Sequence, residues 1–104
     1  MNFGDKDVLY YEAHITIEPV FDKRLDEFKI CCEKFNFRAA DLMMKKRQQD
    51  KPERSSYDTF STGRSQNYLD LYTRTANLCE LLERNGFDVW RYKIEATLID
   101  VRMK

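Results

Sequence analysis

The sequence predicts one α+β domain in which four strands and two helices follow one another in the order βαββαβ. Two segments with period-two alternation, one near each end of the chain, indicate strands, because successive side chains of a strand point to opposite faces of a sheet. Two segments between them repeat apolar residues every three or four positions, which is typical of amphipathic helices. The chain has 104 residues, enough for one hydrophobic core and too few for two. Residues 1–104 are therefore expected to form a single domain.

Composition and cysteine spacing exclude several classes of protein. The 18 basic and 18 acidic residues balance, so no general attraction to nucleic acid is expected. The sequence contains neither a basic start followed by an apolar run nor a stretch of about 18 apolar residues, so neither a secretion signal nor a membrane span is expected. Cys31 and Cys32 are adjacent and Cys79 is remote, which fits neither a zinc site nor a disulfide framework. We expect a cytoplasmic protein with reduced thiols and with no metal, cofactor or membrane contact.

The first strand and the first helix are predicted from residues 9–35. Residues 9–18, LYYEAHITIE, alternate apolar and polar side chains, and Pro19 ends the strand because it lacks a backbone donor. In the following helix Asp22 is the N-cap candidate, and Asn36 is expected to end the helix in the left-handed backbone conformation. The apolar stripe of this helix consists of Leu25, Phe28, Cys32 and Phe35.

The next segment, FRAADLMMKKR, suits a helix nearly as well as a strand. We interpret it as the second strand, because a helix has just ended and because Ala40, Leu42 and Met44 alternate with more polar neighbours. The polar residues 48–56 predict an exposed loop, either a passive connector or a flap over the sheet. Residues 57–64 are rich in Tyr, Thr and Phe and predict a third strand.

The second helix is predicted to begin after Ser65 as its N-cap and to end at Asn85-Gly86. Its inward stripe consists of Tyr68, Leu71, Tyr72, Thr75, Leu78, Cys79 and Leu82. The final strand, residues 88–101, places Trp90, Tyr92, Ile94, Ala96 and Leu98 on the core face and Arg91, Lys93, Glu95 and Thr97 on the other. This order of elements is that of ferredoxin-like folds, an antiparallel four-stranded sheet with both helices on one face. In such a sheet the first and last strands are antiparallel neighbours.

The polar faces of these two strands are expected to form one open surface that contains His14. This histidine is the only one in the sequence and shares its strand face with Glu12 and Thr16. An imidazole exchanges a proton near neutral pH, and a threonine hydroxyl donates to phosphoryl or carboxyl oxygens. His14 and Thr16 are therefore candidate catalytic residues. The alternative is that His14 only occupies a half-exposed strand position beside Glu12.

Cations on the final strand indicate an anion site on the same surface. Arg91 and Lys93 are adjacent on one face and can bind phosphate or carboxylate, while Glu95 can orient them or accept from a sugar hydroxyl. The alternative is an ordinary solvated face whose cations pair with carboxylates of the first strand. The candidate ligand-binding residues are Arg91, Lys93, Glu95, Glu12 and Arg64.

Arg64 belongs to a second possible anion site, the segment TGRS of residues 62–65. We predict that this segment lies where the third strand passes into the second helix. Backbone amides at a helix start attract anions. The alternative is a plain turn and helix cap.

The segment Ala13-His14-Ile15-Thr16-Ile17 resembles the hydrophobic-His-x-Thr-hydrophobic signature of the 2H phosphoesterases, which include RNA 2′,3′-cyclic phosphodiesterases and 2′-5′ RNA ligase-like proteins. In that family two such motifs, one from each of two similar lobes, face each other and act as acid and base on a phosphodiester. This chain has one motif, no second histidine and the length of one lobe. The resemblance therefore implies phosphodiester chemistry only in a homodimer that brings two copies of His14 together.

We expect a module that binds an anionic small molecule or a nucleotide on its open polar sheet face. The alternatives are a phosphodiesterase-like homodimer with His14 as acid or base, and a structural or protein-interaction dimer without a ligand. A homodimer through the final strand is expected because Ile99 and Val101 make both of its faces apolar near the C-terminus, unless a bulge turns them back onto the core. Binding of nucleic acid is not expected, because the basic and aromatic pattern of an RNA-recognition motif is absent.

Overall fold

A computed structural model describes residues 8–40 and 59–98, and within these ranges the chain forms two helices and four strands. The elements are β1 (Val8–Ile17), α1 (Asp22–Lys34), β2 (Arg38–Ala39), β3 (Thr59–Ser65), α2 (Tyr68–Arg84) and β4 (Val89–Leu98). The strands form one sheet in the order β2-β3-β1-β4, and all adjacent pairs are antiparallel. The predicted α+β, ferredoxin-like fold is confirmed, with β1 in the interior of the sheet and β4 at its edge.

The hydrophobic core lies between one face of the sheet and the two helices. From β1 it contains Ala13, Ile15 and Ile17, all fully buried, as the alternation in the sequence predicts. From the helices it contains Phe28, Cys31, Cys32, Leu71, Leu78 and Leu82. Because both helices pack on this face, the alternate residues of β1, including His14, lie on the opposite face of the sheet.

The N-termini of the two helices differ from the prediction, whereas their C-termini agree with it. Asn36 follows α1 with φ of 60°, the left-handed conformation that was expected. Asp22 is not a cap, because α1 begins at this residue and no side chain caps it. The cap of α2 is Asn67 instead of Ser65, since the side chain of Asn67 accepts a hydrogen bond of 2.8 Å from the backbone N–H of Asp70. Ser65 accepts from the N–H of Asn67 and stabilises the turn before the helix.

A β-bulge at the start of β4 changes where the core face of this strand begins. Ile17 pairs with Val89 and Thr16 pairs with Arg91, so Trp90 is the additional residue that forms the bulge. Val89 packs against the core, whereas Trp90 is half-buried. The core face of β4 therefore begins one residue earlier than predicted, at Val89. From Arg91 onward, β4 keeps the predicted alternation.

Several predicted features lie outside the described residues. They are most of the predicted second strand, the loop at residues 48–56, and the C-terminal residues Ile99 and Val101. Of the second strand the structure describes Arg38–Ala39, which pairs with β3. Neither of the two described helices is long and apolar enough to cross a membrane.

Candidate functional site

The face of the sheet opposite the helices, called the open face below, collects polar side chains from four strands. Its described residues are Tyr10, Glu12, His14 and Thr16 of β1, Phe60, Thr62 and Arg64 of β3, Arg38 of β2, and Arg91, Lys93, Glu95 and Thr97 of β4. Among them are three arginines and one lysine against two glutamates. The whole chain carries equal numbers of basic and acidic residues. The open face is therefore locally basic.

Four side chains with hydrogen-bond donors meet where β1 and β4 pair on the open face. His14 lies opposite Lys93, and Thr16 lies opposite Arg91. Cβ atoms of directly opposed residues are about 4.5–5.5 Å apart, and alternate residues along a strand are about 7 Å apart. We call these four side chains the donor quartet. The sequence predicted that β1 and β4 are neighbours, and the donor quartet results from that pairing.

The members of the donor quartet differ in their accessibility. Arg91 and Lys93 are exposed, and His14 is half-buried. Thr16 is only 8% exposed, and it lies in the sheet between Phe60 and Arg91, whose side chains are longer. Thr16 is thus on the predicted face but presents little surface. The accessible donors of the quartet are His14, Lys93 and Arg91.

Glu12 joins the donor quartet to Arg64. Its Oε2 accepts a hydrogen bond of 2.8 Å from Arg64 Nε, and its Oε1 lies 3.3 Å from His14 Nε2. The hydrogen bond from Arg64 is the main cause that holds the pKa of Glu12 below its usual value, although partial burial acts in the opposite direction. The same hydrogen bond raises the pKa of Arg64. Glu12 therefore stays ionised at neutral pH and engages Nε2 of His14.

We predict that the ionisation of Glu12 contributes to folding. Its pKa in the folded state lies below the ordinary value of 4.5, so the contribution is present above pH 4.5 and is lost as the pH falls through the folded-state pKa. An NMR titration of the Glu12 carboxyl carbon measures this pKa. In Arg64→Met it should move back towards the ordinary value, because the main cause of the shift is removed.

The control for this titration is Arg84→Met, which breaks an exposed ion pair with Glu80 on α2. This variant should leave the Glu12 titration unchanged. Equal midpoints for Glu12 in the native protein and in Arg64→Met would contradict the assignment of the shift to Arg64.

The charged row of β4 is only loosely paired. Lys93 Nζ lies 3.7 Å from Glu95 Oε2, and both side chains are exposed, so this contact contributes little to stability. Arg91 makes no ion pair with any described residue. Its guanidinium therefore remains able to bind an anion with two parallel hydrogen bonds.

The predicted position of residues 62–65 at a helix start is wrong, because all four residues belong to β3 and α2 begins only at Tyr68. The glycine in this segment serves packing instead. A Cβ atom on Gly63 would lie 2.6–2.8 Å from ring atoms of Phe37, which is buried against the strand. The Arg64 side chain meets Glu12 on the open face and does not lie at a helix start.

A groove of about 820 Å³ runs beside β2, and its lining includes Lys29, Glu33, Arg38 and Arg64. The groove adjoins the open face, because Arg64 belongs to both. The sequence did not point to Arg38, because the alternation predicted for the second strand places residue 38 on the same side as the apolar Ala40 and Leu42. Its place became evident only from its register opposite Thr62.

The cysteines are free and are not part of the site. Cys31 and Cys32 are buried and Cys79 is half-buried. Burial raises the pKa of Cys32 to about 12 and that of Cys79 to about 11, so these thiols stay protonated. In residues 8–40 and 59–98, no three His, Cys, Asp or Glu side chains lie together in a way that could hold a metal ion.

Comparisons of the chain with models of protein families, with curated proteins and with solved structures find no match. The resemblance of residues 13–17 to the 2H phosphoesterase signature therefore stays a prediction. What the structure adds is the position of the motif, in β1 with His14 on the open face.

Proposed function

We propose that the protein binds a small anionic ligand of the nucleotide class on its open face, with the phosphate at the donor quartet. The observation that carries this proposal is the register of β1 and β4, which sets His14 opposite Lys93 and Thr16 opposite Arg91. A guanidinium donates two parallel hydrogen bonds to one phosphate, and an ammonium adds a compact positive charge. His14 adds a polar nitrogen beside them.

The neighbouring cross-strand pair on the open face, Glu12 and Glu95, suits a ligand that also carries hydroxyl groups. Glu12 lies opposite Glu95, one row away from His14 and Lys93. These two carboxylates accept hydrogen bonds and repel a second anion. A ribose placed there donates its hydroxyls to them, while its phosphate lies about 7 Å away at the donor quartet. This row therefore favours a nucleotide over inorganic phosphate.

The aromatic ring of Tyr10 lies one row further along β1, opposite Thr97. The guanidinium carbon of Arg64 lies 4.9 Å from the centre of this ring, so the ring face already accepts a planar cation. The distance from Lys93 to Thr97 along β4 is about 13 Å, which suits an extended nucleotide. We expect the base to lie near Tyr10 and the phosphate near Arg91.

The test is an amide NMR titration with AMP as the probe, with adenosine and inorganic phosphate in separate arms. AMP should shift the amide signals of His14 and Lys93. It should also bind more tightly than adenosine or inorganic phosphate does. Arg91→Ala should weaken AMP binding about tenfold or more, because a charge-assisted bidentate contact is lost. Its melting temperature should change little, because Arg91 is exposed.

The matched control is Arg84→Ala, which removes an equal charge from an exposed position on α2. This variant should bind AMP within about twofold of the native protein, since a distant exposed charge is screened. The proposal is wrong if AMP leaves the signals of His14 and Lys93 in place, or if the two variants bind AMP equally.

A second candidate function is cleavage of a phosphodiester with His14 as acid or base. The observation that favours it is the distance of 3.3 Å between Glu12 Oε1 and His14 Nε2, since a carboxylate that orients an imidazole is typical of acid–base sites. The resemblance of residues 13–17 implies the same chemistry but requires a second histidine from another chain. Turnover of 2′,3′-cyclic AMP that is lost in His14→Gln would support this function. If the protein binds AMP but does not turn over 2′,3′-cyclic AMP, only the first function, nucleotide binding, remains.

A further inference from the structure

The outer side of β4 is an unpaired sheet edge in the part of the chain that the structure describes. The order of strands in the sheet ends at β4, and this strand has 10 residues. It contains no proline, and beyond the bulge at Trp90 its ladder with β1 is regular from Arg91 to Thr97. A long, regular edge is able to pair with a further strand through its free amides and carbonyls.

The helix side of β4 adds apolar surface next to this edge. Tyr92 is 52% exposed, and Ala96 is also exposed. Tyr68 and Tyr72 of α2 are both exposed and stack with ring centres 6.2 Å apart. Tyr68 also meets Tyr11, which is the cross-strand partner of Ala96. Within the described residues, α2 thus leaves an aromatic and apolar strip of the sheet uncovered beside the edge.

The sequence of β4 is complementary to itself when two copies run antiparallel about Ile94. In this register Lys93 of each copy lies opposite Glu95 of the other, so two pairs of opposite charge form on the open face. On the helix side, Tyr92 of each copy lies opposite Ala96 of the other, so a large side chain meets a small one. A shift of the register by two residues, with Lys93 at the centre, would place two lysines opposite each other.

We propose that the protein forms a two-fold homodimer in which β4 pairs with β4 of a second copy, with Ile94 at the symmetry axis. The contact is isologous, as closed dimers require, and it joins two four-stranded sheets into one. The proposal uses described residues of β4 and does not depend on any ligand. A second copy is favoured over another partner because the charges and side-chain sizes along β4 are complementary to those of the same strand running in the opposite direction.

This dimer has a consequence for the two functions proposed above. The two-fold axis is perpendicular to the sheet, so both open faces lie on the same side. The two copies of β1 are separated by three strand spacings, so the two His14 side chains lie about 14 Å or more apart. One phosphodiester cannot lie between them. The dimer is therefore compatible with two independent nucleotide sites and not with a shared two-histidine site.

Charge reversal tests the register by sedimentation velocity over a range of concentrations. The native protein should sediment as a dimer at micromolar concentration. Lys93→Glu and Glu95→Lys should each weaken dimerisation about tenfold or more, because two attractive pairs become repulsive. The double variant Lys93→Glu/Glu95→Lys restores opposite charges and should restore the dimer. Arg84→Glu, an equal reversal on α2, should leave the dissociation constant unchanged.

Oxidative cross-linking tests the position of the axis. Ile94→Cys should form a covalent dimer, because paired residues of antiparallel strands have Cα atoms about 4.5–5.5 Å apart, within reach of a disulfide. Tyr92→Cys is the control, because its two copies lie about 13 Å apart along the strands. A mixture of Tyr92→Cys and Ala96→Cys should cross-link. The native protein, with its own three cysteines, measures the background.

Three results would overturn the proposal. The first is a monomer at every concentration tested, which would also be the result if the edge of β4 receives a strand of another protein. The second is a dimer that both single charge reversals leave unchanged. The third is cross-linking of Tyr92→Cys as fast as that of Ile94→Cys. Because none of these measurements involves a nucleotide, failure of the dimer and failure of the proposed function are distinguishable.

Discussion

Replacement of Phe28 by alanine is expected to lower the free energy of unfolding by about 3–5 kcal/mol, as large aromatic truncations in cores do. Phe28 is fully buried in α1, and its ring meets that of Phe87 edge to face with centres 5.8 Å apart. The change removes buried apolar area, an aromatic pair and the atoms that fill the space under α1. A domain of this size has a total stability of about 5–15 kcal/mol, so this variant loses a large part of it.

Urea denaturation followed by circular dichroism measures this loss. The control is Ile30→Ala on the same helix, because Ile30 is 57% exposed and its truncation should cost less than about 1 kcal/mol. If the two variants lose the same stability, the assignment of Phe28 to the centre of the core is wrong.

The second large effect is expected for Arg74→Met, which should cost about 2–4 kcal/mol through loss of charge-assisted hydrogen bonds. Arg74 lies on α2 with only 18% of its side chain exposed. Its Nη1 donates to the carbonyl of Phe35 at 2.9 Å, at the end of α1, and its Nη2 donates to the carbonyl of Arg64 in β3. One guanidinium thus ties α2 to both α1 and β3. Its removal deprives both carbonyls of this donor.

The matched control for Arg74→Met is Arg84→Met, which removes an exposed arginine from the same helix. The ion pair of Arg84 with Glu80 is solvent-exposed, so its loss should change the free energy of unfolding by less than about 0.5 kcal/mol. Arg74→Lys should recover only part of the stability, because an ammonium cannot reach separate carbonyls with a planar fork. Equal stabilities for Arg74→Met and Arg84→Met would show that the carbonyl contacts contribute nothing.

The fold was predictable because its amphipathic patterns are strong and local. Ile15 and Ile17 belong to a regular alternation, and the stripe that includes Leu71 and Leu78 repeats with helical spacing, so each element shows its core face in the sequence. The order of the elements then left few arrangements of the sheet. The pairing of β1 with β4, and with it the place of His14 beside Lys93, followed from that topology.

The details that failed depend on contacts between distant parts of the chain or on a choice among neighbours. Ser65 and Asn67 are both good caps, and only the observed hydrogen bond decides between them. Gly63 suits a turn as well as a strand, and its packing against Phe37 becomes visible only in three dimensions. Arg74 meets a carbonyl 39 residues away in the chain, a contact to which no periodicity points.

The bulge at Trp90 decides which side of the protein is charged. Val89 faces the core, and simple alternation from Val89 would turn Arg91 towards the core as well. The one additional residue reverses the phase, so Arg91 and the two charged residues that follow it at alternate positions emerge on the open face. One continuous strand thus places Val89 in the core and the charged residues on the open face, which regular alternation from Val89 would not allow. The chemistry of the open face depends on this single insertion in the ladder as much as on the identity of its cations.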